Sequence, residues 1–272
     1  MKTIVHLSDL HFGRVDERIV TPIIQRVRAV NPDLVAVSGD FTQRARRGQF
    51  IQARMFLDAL PFPKFVVPGN HDVPLYDVAA RLLNPFGGYR RYIAEDLEPS
   101  CVDDEVAIVG LNSARALAME GRGRLSELQV KRAADRLRPL PSRLIKIVVT
   151  HHPFDLPEGF HEQNLIGRAA MAMSQLADAG ADLFLAGHLH VSHIGHTAER
   201  YKIKGHSALV IQAGTMSTRG RGEANTFNVL RLARPDVSVE RYTWDVSNQT
   251  FVQSWEGKFR HGETGWTAIE NW

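Results

Sequence analysis

Asp9-Leu10-His11 and His188-Leu189-His190 are two i, i+2 pairs of metal-capable side chains, each closed around a leucine. In extended chain, residues i and i+2 share a face while i+1 points away. Each pair is therefore expected to aim two ligands at one place while its leucine packs inward. Three other positions have the same character: Asp40, the run Asn70-His71-Asp72, and His151-His152. Carboxylate, imidazole and amide donors without sulfur suit Mn, Fe, Zn, Ni or Co better than they suit a zinc-finger cage. The set is too large for one ion. Asp9, His11, Asp40, Asn70, His151, His188 and His190 fit two ions roughly 3.5–4 Å apart with one carboxylate bridging them. A single Asp or Asn after a strand is ordinarily a turn or cap residue, and a single buried His is ordinarily a hydrogen-bonded core residue. Those explanations would have to hold independently at five places, so a shared metal centre is the stronger expectation.

Such residues need elements that deliver them together. Each of the five positions follows a short apolar run, at residues 3–8, 34–38, 65–67, 144–150 and 183–186, and these runs read as buried strands. Helical patterns lie between them. Ile19, Ile23, Val27 and Val30 are spaced for one helix face, which Asn31-Pro32 should end. Residues 49–60, 127–137 and 169–179 follow the same period. Strands alternating with helices argue a parallel, helix-covered sheet, and ligand sites in such sheets lie outside the carboxyl ends of the strands. Gly39, Gly69 and Gly187 directly precede candidate ligands. Glycine there permits unusual backbone angles and close approach to an ion. Residues 77–100 read as an excursion with one or two short helices, and 106–111 as a further strand.

From residue 191 the pattern changes. Residues 191–197, 208–213, 226–232, 238–244 and 251–255 read as strands with no helix between them, which predicts a second, mostly antiparallel sheet. The expected fold is α/β, a two-sheet β-sandwich of mixed strands flanked by helices. It is read as a single domain over 1–272, with the motifs in about 1–198 and a β-rich part, about 199–272, completing the second sheet. The aromatics Trp255, Trp266 and Trp272 are candidates for a cap over the cleft, for a dimer contact, or for packing on the chain's own core.

Composition narrows the class. The 272 residues are 44% hydrophobic, enough for a sizeable core. A net charge of +3 is too weak by itself to argue nucleic acid. One cysteine, Cys101, excludes an internal disulfide and a thiolate metal cage. No run approaches the ~18 apolar residues of a membrane span. The N-terminal apolar stretch is too short for a signal peptide and is broken by His6, Ser8 and Asp9. The expectation is a cytoplasmic protein, and a homo-oligomer stays open.

Five blocks, SDLHFG (8–13), SGDFTQ (38–43), PGNHD (68–72), THHPF (150–154) and AGHLH (186–190), stand in order along the chain. Together they resemble the signature blocks of the calcineurin-like metallophosphoesterases. HHPF and the stretch LNSARALAMEGRGRLSELQ resemble the bacterial class III cyclic-nucleotide phosphodiesterase branch of that superfamily. The resemblance implies a first metal held by Asp9, His11, Asp40 and His190, and a second held by Asp40, Asn70, His151 and His188. Asp40 and a hydroxide would bridge the two ions, with Mn2+ and Fe2+/Fe3+ foremost and Zn2+, Co2+ or Ni2+ as alternatives. Two divalent ions, two carboxylates and a hydroxide leave a net charge of about +1, which favours an anionic phosphate and in-line attack by the hydroxide.

His71 is the candidate proton donor to the leaving alkoxide and stays off the metals. Asp72 is expected to orient it or to stabilise its charge. His152 either points elsewhere or supports a substrate phosphate. Arg44, Arg46, Arg47, Arg219 and Arg221 are either solvated surface or a basic rim that steers phosphate esters. Of these, Arg44 and Arg219 are the substrate-binding candidates. Residues 215–217, Thr-Met-Ser, follow a strand end and could reach the cleft.

The expected function is hydrolysis of small phosphodiesters, cyclic nucleotides among them. The alternatives are a phosphomonoesterase or nucleotide pyrophosphatase, a nuclease, or a non-catalytic scaffold. The absence of a long basic stripe argues against the nuclease. A scaffold should have lost ligands, and none is missing here.

Overall fold

The computed structural model describes residues 1–117, 121–201 and 207–269. Two sheets face each other. The first runs, in spatial order, β13 (Gly265–Ala268), β12 (Thr250–Gly262), β11 (Asp236–Asp245), β10 (Thr226–Ala233), β1 (Lys2–Leu7), β2 (Leu34–Ser38) and β3 (Lys64–Val67). The second runs β4 (Ser100–Val102), β5 (Val106–Gly110), β6 (Ile145–Val149), β7 (Leu183–Ala186), β9 (Leu209–Gln212) and β8 (His193–His196). Strands β1, β2 and β3 are mutually parallel, as are β5, β6, β7 and β9. Every residue of β2, β5 and β6 is buried. That burial explains why these strands read as unbroken apolar runs rather than alternating ones.

Successive side chains of one strand serve different cores. Ile4, Ala36, Ile108, Ile147 and Leu185 meet between the two sheets. Val5, Leu7, Val35 and Val37 face outward, onto α1 (Glu17–Val30), α2 (Arg47–Asp58) and α4 (Gly87–Tyr92), through Ile19, Ile23, Phe50, Phe56 and Tyr89. On the opposite flank Val109, Val148 and Phe184 pack on α5 (Glu127–Leu137) and α6 (Ala169–Asp178). The result is helix, sheet, sheet, helix, the layered solution for two sheets that each need both faces covered. Helix α1 starts at Asp16, whose side chain accepts the Arg18 N–H, and stops at Asn31 in the left-handed region.

The chain beyond residue 191 departs from expectation. Strands β8 and β9 do join the second sheet, β9 lying parallel to β7. Strands β10 to β13 instead extend the first sheet. Strand β10 pairs antiparallel with β1, Ile4 opposite Leu230, and β11 to β13 follow as antiparallel neighbours. The free edge of β1 is a row of unpaired backbone groups, and β10 covers it. Strand periodicity predicts antiparallel pairing but not which edge is taken. A short helix, α7 (Thr197–Tyr201), also interrupts this region, where none was expected. Trp266 is 1% exposed and donates its indole N–H to Asp182, and Trp255 packs against the inter-sheet core, so both serve the chain's own core. Trp272 and His206 lie outside the described residues. Residues 77–100 hold α3 (Val78–Leu83) and α4, and α3 buries none of its residues.

Candidate metal centre

The carboxyl ends of β1, β2 and β3 in one sheet and of β6 and β7 in the other open onto one place. Backbone hydrogen bonds knit the loops that leave them. Asp9 N–H donates to the Gly39 carbonyl, His11 N–H to the Asp40 carbonyl, and Gly187 N–H to the His151 carbonyl. Across the sheets, the His188 N–H donates to the Asp9 carboxylate at 2.8 Å. The 215–217 loop joins them, with Thr215 Oγ1 donating to the Asp9 carbonyl at 2.9 Å.

The two i, i+2 pairs are not extended. Asp9, His11, Asp40, His188 and His190 have φ of 52°, 47°, 56°, 73° and 61°. Each such residue is disfavoured by roughly 1–2 kcal/mol relative to ordinary backbone, and strain of this kind collects at functional sites. Both members of a pair still aim at one point, because two left-handed residues flank a leucine that is wholly buried, Leu10 at 1% and Leu189 at 0% exposure. Among the three preceding glycines, Gly39 has a left-handed φ of 91°. Gly187 matters for space instead: a Cβ there would collide with Ser8 Oγ and the Asp9 carboxylate.

The side chains converge, though not through the extended pairs that the spacing argument assumed. Asp9, His11 and His190 form one group whose ligand atoms lie within 4.8 Å of one another, and Asp9, Asp40 and His151 form another. His11 Nε2 and His190 Nε2 are 3.0 Å apart. Asp9 Oδ1 lies 3.1 Å from His190 Nε2 and 3.5 Å from His11 Nε2. Asp40 Oδ2 is 3.5 Å from His11 Nε2 and 3.3 Å from His151 Nε2, so it stands between the two halves. Asn70 Oδ1 is 3.1 Å from His151 Nε2, and the His151 and His188 rings are 5.2 Å apart.

These residues fit cations. Asp9 and Asp40 are 0% and 1% exposed, and neither pairs with a Lys or Arg among the described residues. Asp9 Oδ1 is buried without a hydrogen-bond partner. Two imidazole nitrogens and an orphaned carboxylate oxygen pointing at one another are a costly arrangement unless a cation sits among them.

The electrostatics agree. Burial alone would raise the carboxyls of Asp9 and Asp40, but neighbouring imidazoles, His190 foremost for Asp9 and His151 for Asp40, hold both well below the usual range. Burial disfavours the charged form of His151, yet Asp40 outweighs it and raises that imidazole to about 9. His188 goes the other way, pushed well down by burial and then by His152 and His151.

His71 sits in the same cluster, within 4.8 Å of His11 and Asp40. Its backbone N–H donates to Asp40 Oδ1 at 2.8 Å. Its Nδ1–H donates to the Gln43 carbonyl at 2.8 Å, which leaves Nε2 to accept from Arg219 Nη1 at 3.1 Å. Burial lowers its pKa against the pull of Asp40.

Asp72 does not reach that ring. It is 0% exposed and accepts the backbone N–H groups of Thr42 at 2.9 Å, Gly69 at 2.9 Å and Phe41 at 3.3 Å. The expectation that it orients His71 is therefore corrected: the Gln43 carbonyl orients the ring, and Asp72 ties the Asp40 loop to the Asn70 loop. The polypeptide turns into a 3-10 turn, Asn70–Asp72, which sends the Asp72 side chain back under Gly69 and away from its neighbour.

Both ring nitrogens of His152 are engaged within the chain. Its Nε2–H donates to the Gly121 carbonyl at 2.7 Å and its Nδ1 accepts from Ser113 Oγ at 2.8 Å. Its ring lies 4.4 Å from that of His188, which it holds in place.

Arg219 reaches the site twice, by its guanidinium on His71 and by its carbonyl, which accepts from His190 Nδ1 at 2.9 Å. Arg44 lines a cleft of about 580 Å3 beside Asn70 and His71. Gln43, Arg81 and Arg115 line the same cleft. Arg81 carried no signal in the sequence, and Arg115, though inside the LNSARALAMEGRGRLSELQ stretch, was not singled out there. Gln43 closes the SGDFTQ block and could have been read from it.

Comparison with known proteins places the chain in a family. The chain is 29% identical over 144 residues to a probable glycerophosphodiester phosphodiesterase GpdQ of Arcobacter nitrofigilis, covering 52% of this chain and 50% of that one. It is 30% identical over 80 residues to the glycerophosphodiester phosphodiesterase GpdQ of Enterobacter lignolyticus, covering 25% of this chain and 29% of that one. The alignments thus span half or less of those relatives. A dimetal phosphatase from Danio rerio has the same fold, with a TM-score of 0.65 at 14% identity, covering 88% of this chain and 95% of that one. The family model described as calcineurin-like phosphoesterase matches residues 2–192. With that match over most of its length, the chain belongs to the calcineurin-like phosphoesterase family.

Proposed function

We propose that the protein is a metal-dependent phosphodiesterase acting on small phosphodiesters, cyclic nucleotides included. The observation that carries this reading is the completeness of the donor set: all seven side chains are present, and their atoms converge from both sheets. The resemblance to proteins named as glycerophosphodiester phosphodiesterases supports the diester over the monoester.

Asp9, His11, Asp40 and His190 would hold one ion, and Asp40, Asn70, His151 and His188 the other. Mn2+ or iron is favoured by the nitrogen and oxygen donors. When bound, two such ions supply Lewis acidity toward the phosphoryl oxygens and a water of lowered pKa. The chain's own groups do the rest. His151 Nδ1–H is tied to the Ser38 carbonyl at 2.8 Å and His190 Nδ1–H to the Arg219 carbonyl, so both rings present Nε2 in a fixed tautomer. His71 Nδ1–H is fixed by Gln43, so Nε2 is the nitrogen that gains and gives up a proton. In the neutral ring Nε2 accepts from Arg219; with Arg219 turned onto the phosphate, the imidazolium Nε2–H is free to protonate the leaving alkoxide.

The test is an assay of Mn2+-loaded protein against bis-p-nitrophenyl phosphate, p-nitrophenyl phosphate and 3′,5′- and 2′,3′-cyclic nucleotides. The diesters should have the higher kcat/KM; turnover of the monoester alone would overturn the diesterase assignment. In His71→Ala, both metals should remain while kcat falls by about 10²–10⁴-fold, more for alkyl than for p-nitrophenyl leaving groups. Equal metal loss in His71→Ala and Asn70→Ala would overturn the proton role.

A further inference from the structure

We propose that Asn225 is a positioning residue for Arg219: it anchors the loop that carries the arginine and so sets where the guanidinium can reach. This inference rests on the reading above in which Arg219 turns from His71 onto the substrate phosphate. Arg219 lies in an exposed run, residues 218–223, Thr-Arg-Gly-Arg-Gly-Glu, with Gly222 at a left-handed φ of 92°. Left to itself, a long side chain on so open a loop would have to be ordered each time a phosphate arrived, with a loss of affinity. Yet Arg219 meets the metal centre at two points. Its Nη1 donates to His71 Nε2 at 3.1 Å, and its carbonyl accepts from His190 Nδ1 at 2.9 Å. A guanidinium that swings between an imidazole and a phosphate needs a backbone that does not move with it.

Asn225 supplies that anchor. It directly precedes β10, and its Nδ2 donates to two carbonyls of the loop, those of Thr215 and Ser217, each at 2.9 Å. Its own carbonyl accepts the Trp244 N–H of β11 at 2.9 Å, which ties it to the first sheet. Both protons of one amide are thus spent on a single turn, residues 215–217. From that turn a chain of hydrogen bonds links Arg219 to the Asp9 loop. The Arg219 N–H donates to Ser217 Oγ at 3.2 Å, and the Thr215 hydroxyl donates to the Asp9 carbonyl at 2.9 Å. With the Thr215 proton so engaged, Ser217 Oγ is the donor in the 2.8 Å bond between the two hydroxyls. Thr215 and Ser217 are both buried.

Asn225 therefore acts through others: it holds Thr215 and Ser217, Ser217 holds the Arg219 N–H, and Arg219 reaches the phosphate. Loss of the amide loosens the turn, and the guanidinium then has to be ordered on binding. Where the guanidinium is absent, Asn225 has nothing to position. The effect is conditional on Arg219, which a contribution to folding alone would not be.

The test is a double-mutant cycle on the full-length protein, with Mn2+ saturating and metal content checked by elemental analysis. It reads kcat/KM for bis-p-nitrophenyl phosphate and, independently of turnover, affinity for inorganic phosphate by calorimetry. Arg219→Ala should lower both by about 10–100-fold, as for a hydrogen bond to a charged group. Asn225→Ala should lower both at least about fivefold in the parent and less than about twofold in Arg219→Ala, with metal content unchanged. Asn225→Asp keeps the shape but faces the two carbonyls without a donor, so it should do no better than alanine. If Asn225→Ala fails to fold, Asn225→Ser, which keeps a single donor, carries the same cycle. Equal losses in both backgrounds overturn the inference, as does Asn225→Asp at parental kcat/KM and affinity. Arg219→Ala without effect overturns the phosphate role of Arg219 and the inference with it. Absence of turnover, with the cycle intact in phosphate affinity, overturns the phosphodiesterase reading and leaves the positioning role standing.

Discussion

Asp72 offers the sharpest test of how this centre is built. Its carboxylate accepts three buried backbone N–H groups and the Thr42 hydroxyl. Asp72→Ala leaves those donors without an acceptor, at about 1–3 kcal/mol each. Water entering the gap offsets part of this, so the expected loss is about 3–5 kcal/mol, a large share of the roughly 5–15 kcal/mol that holds a domain together. For a chain of this size each kcal/mol moves Tm by about 2–4 °C, which puts the drop at roughly 6–20 °C. Burial, and then Asp40, raise the Asp72 carboxyl to about 7. Asp72→Asn removes the charge but turns an NH2 toward donors that now reach a carboxylate oxygen, so it should still lose about 2–4 kcal/mol. The assay is calorimetric unfolding together with metal content and kcat on bis-p-nitrophenyl phosphate. If Asp72→Ala keeps its Tm within 2 °C and both metals yet loses kcat about 100-fold, the brace is wrong and the residue acts through His71 after all.

Other outcomes follow from the same geometry. Gly187→Ala should lose metal by elemental analysis and lower Tm, because the added methyl displaces the Asp9 carboxylate; unchanged metal content would contradict the packing. Chelation should lower Tm by about 5–10 °C, since ligand at 100 times its Kd stabilises by about 2.7 kcal/mol; a Tm indifferent to chelator would argue against a cation between Asp9 and Asp40. Burial pushes His6 down to about 3 from its ordinary 6.5. The unfolded chain therefore takes a proton below pH 6.5 that the folded chain refuses, and stability should fall as pH drops from 6.5 toward 3, by up to about 1.4 kcal/mol per unit. Urea midpoints of metal-free His6→Gln should depend less on pH than those of the parent; equal slopes would mean that His6 is not the group responsible.

The centre was legible because each ligand follows an apolar run and the runs alternate with helices, so strand ends and metal-capable residues coincide. The seven donors needed no knowledge of φ. The backbone that aims them did: nothing in Asp9-Leu10-His11 distinguishes an extended pair from two left-handed residues around a leucine. Asp72 was misjudged because adjacency in sequence suggested contact, whereas the 3-10 turn points it under Gly69. Strands β10 to β12 were recognised as strands and assigned to the wrong sheet, since period-2 patterning does not specify a pairing edge; β13 was not read from the sequence at all. Arg81 and Arg115 are brought to the cleft only by tertiary folding.

The hydrogen bond from the His188 N–H to the Asp9 carboxylate joins positions 179 residues apart. An ion held by Asp9 and His190 would therefore be a cross-link spanning most of the polypeptide. Closing so long a loop is entropically expensive, and the expense is already met when the two sheets have docked. Cation uptake would then work as a clasp fastened last. A growing chain could not close it until both β1 and β7 had been made, and once closed it would turn the separate opening of either sheet into a single event that must also release the ion.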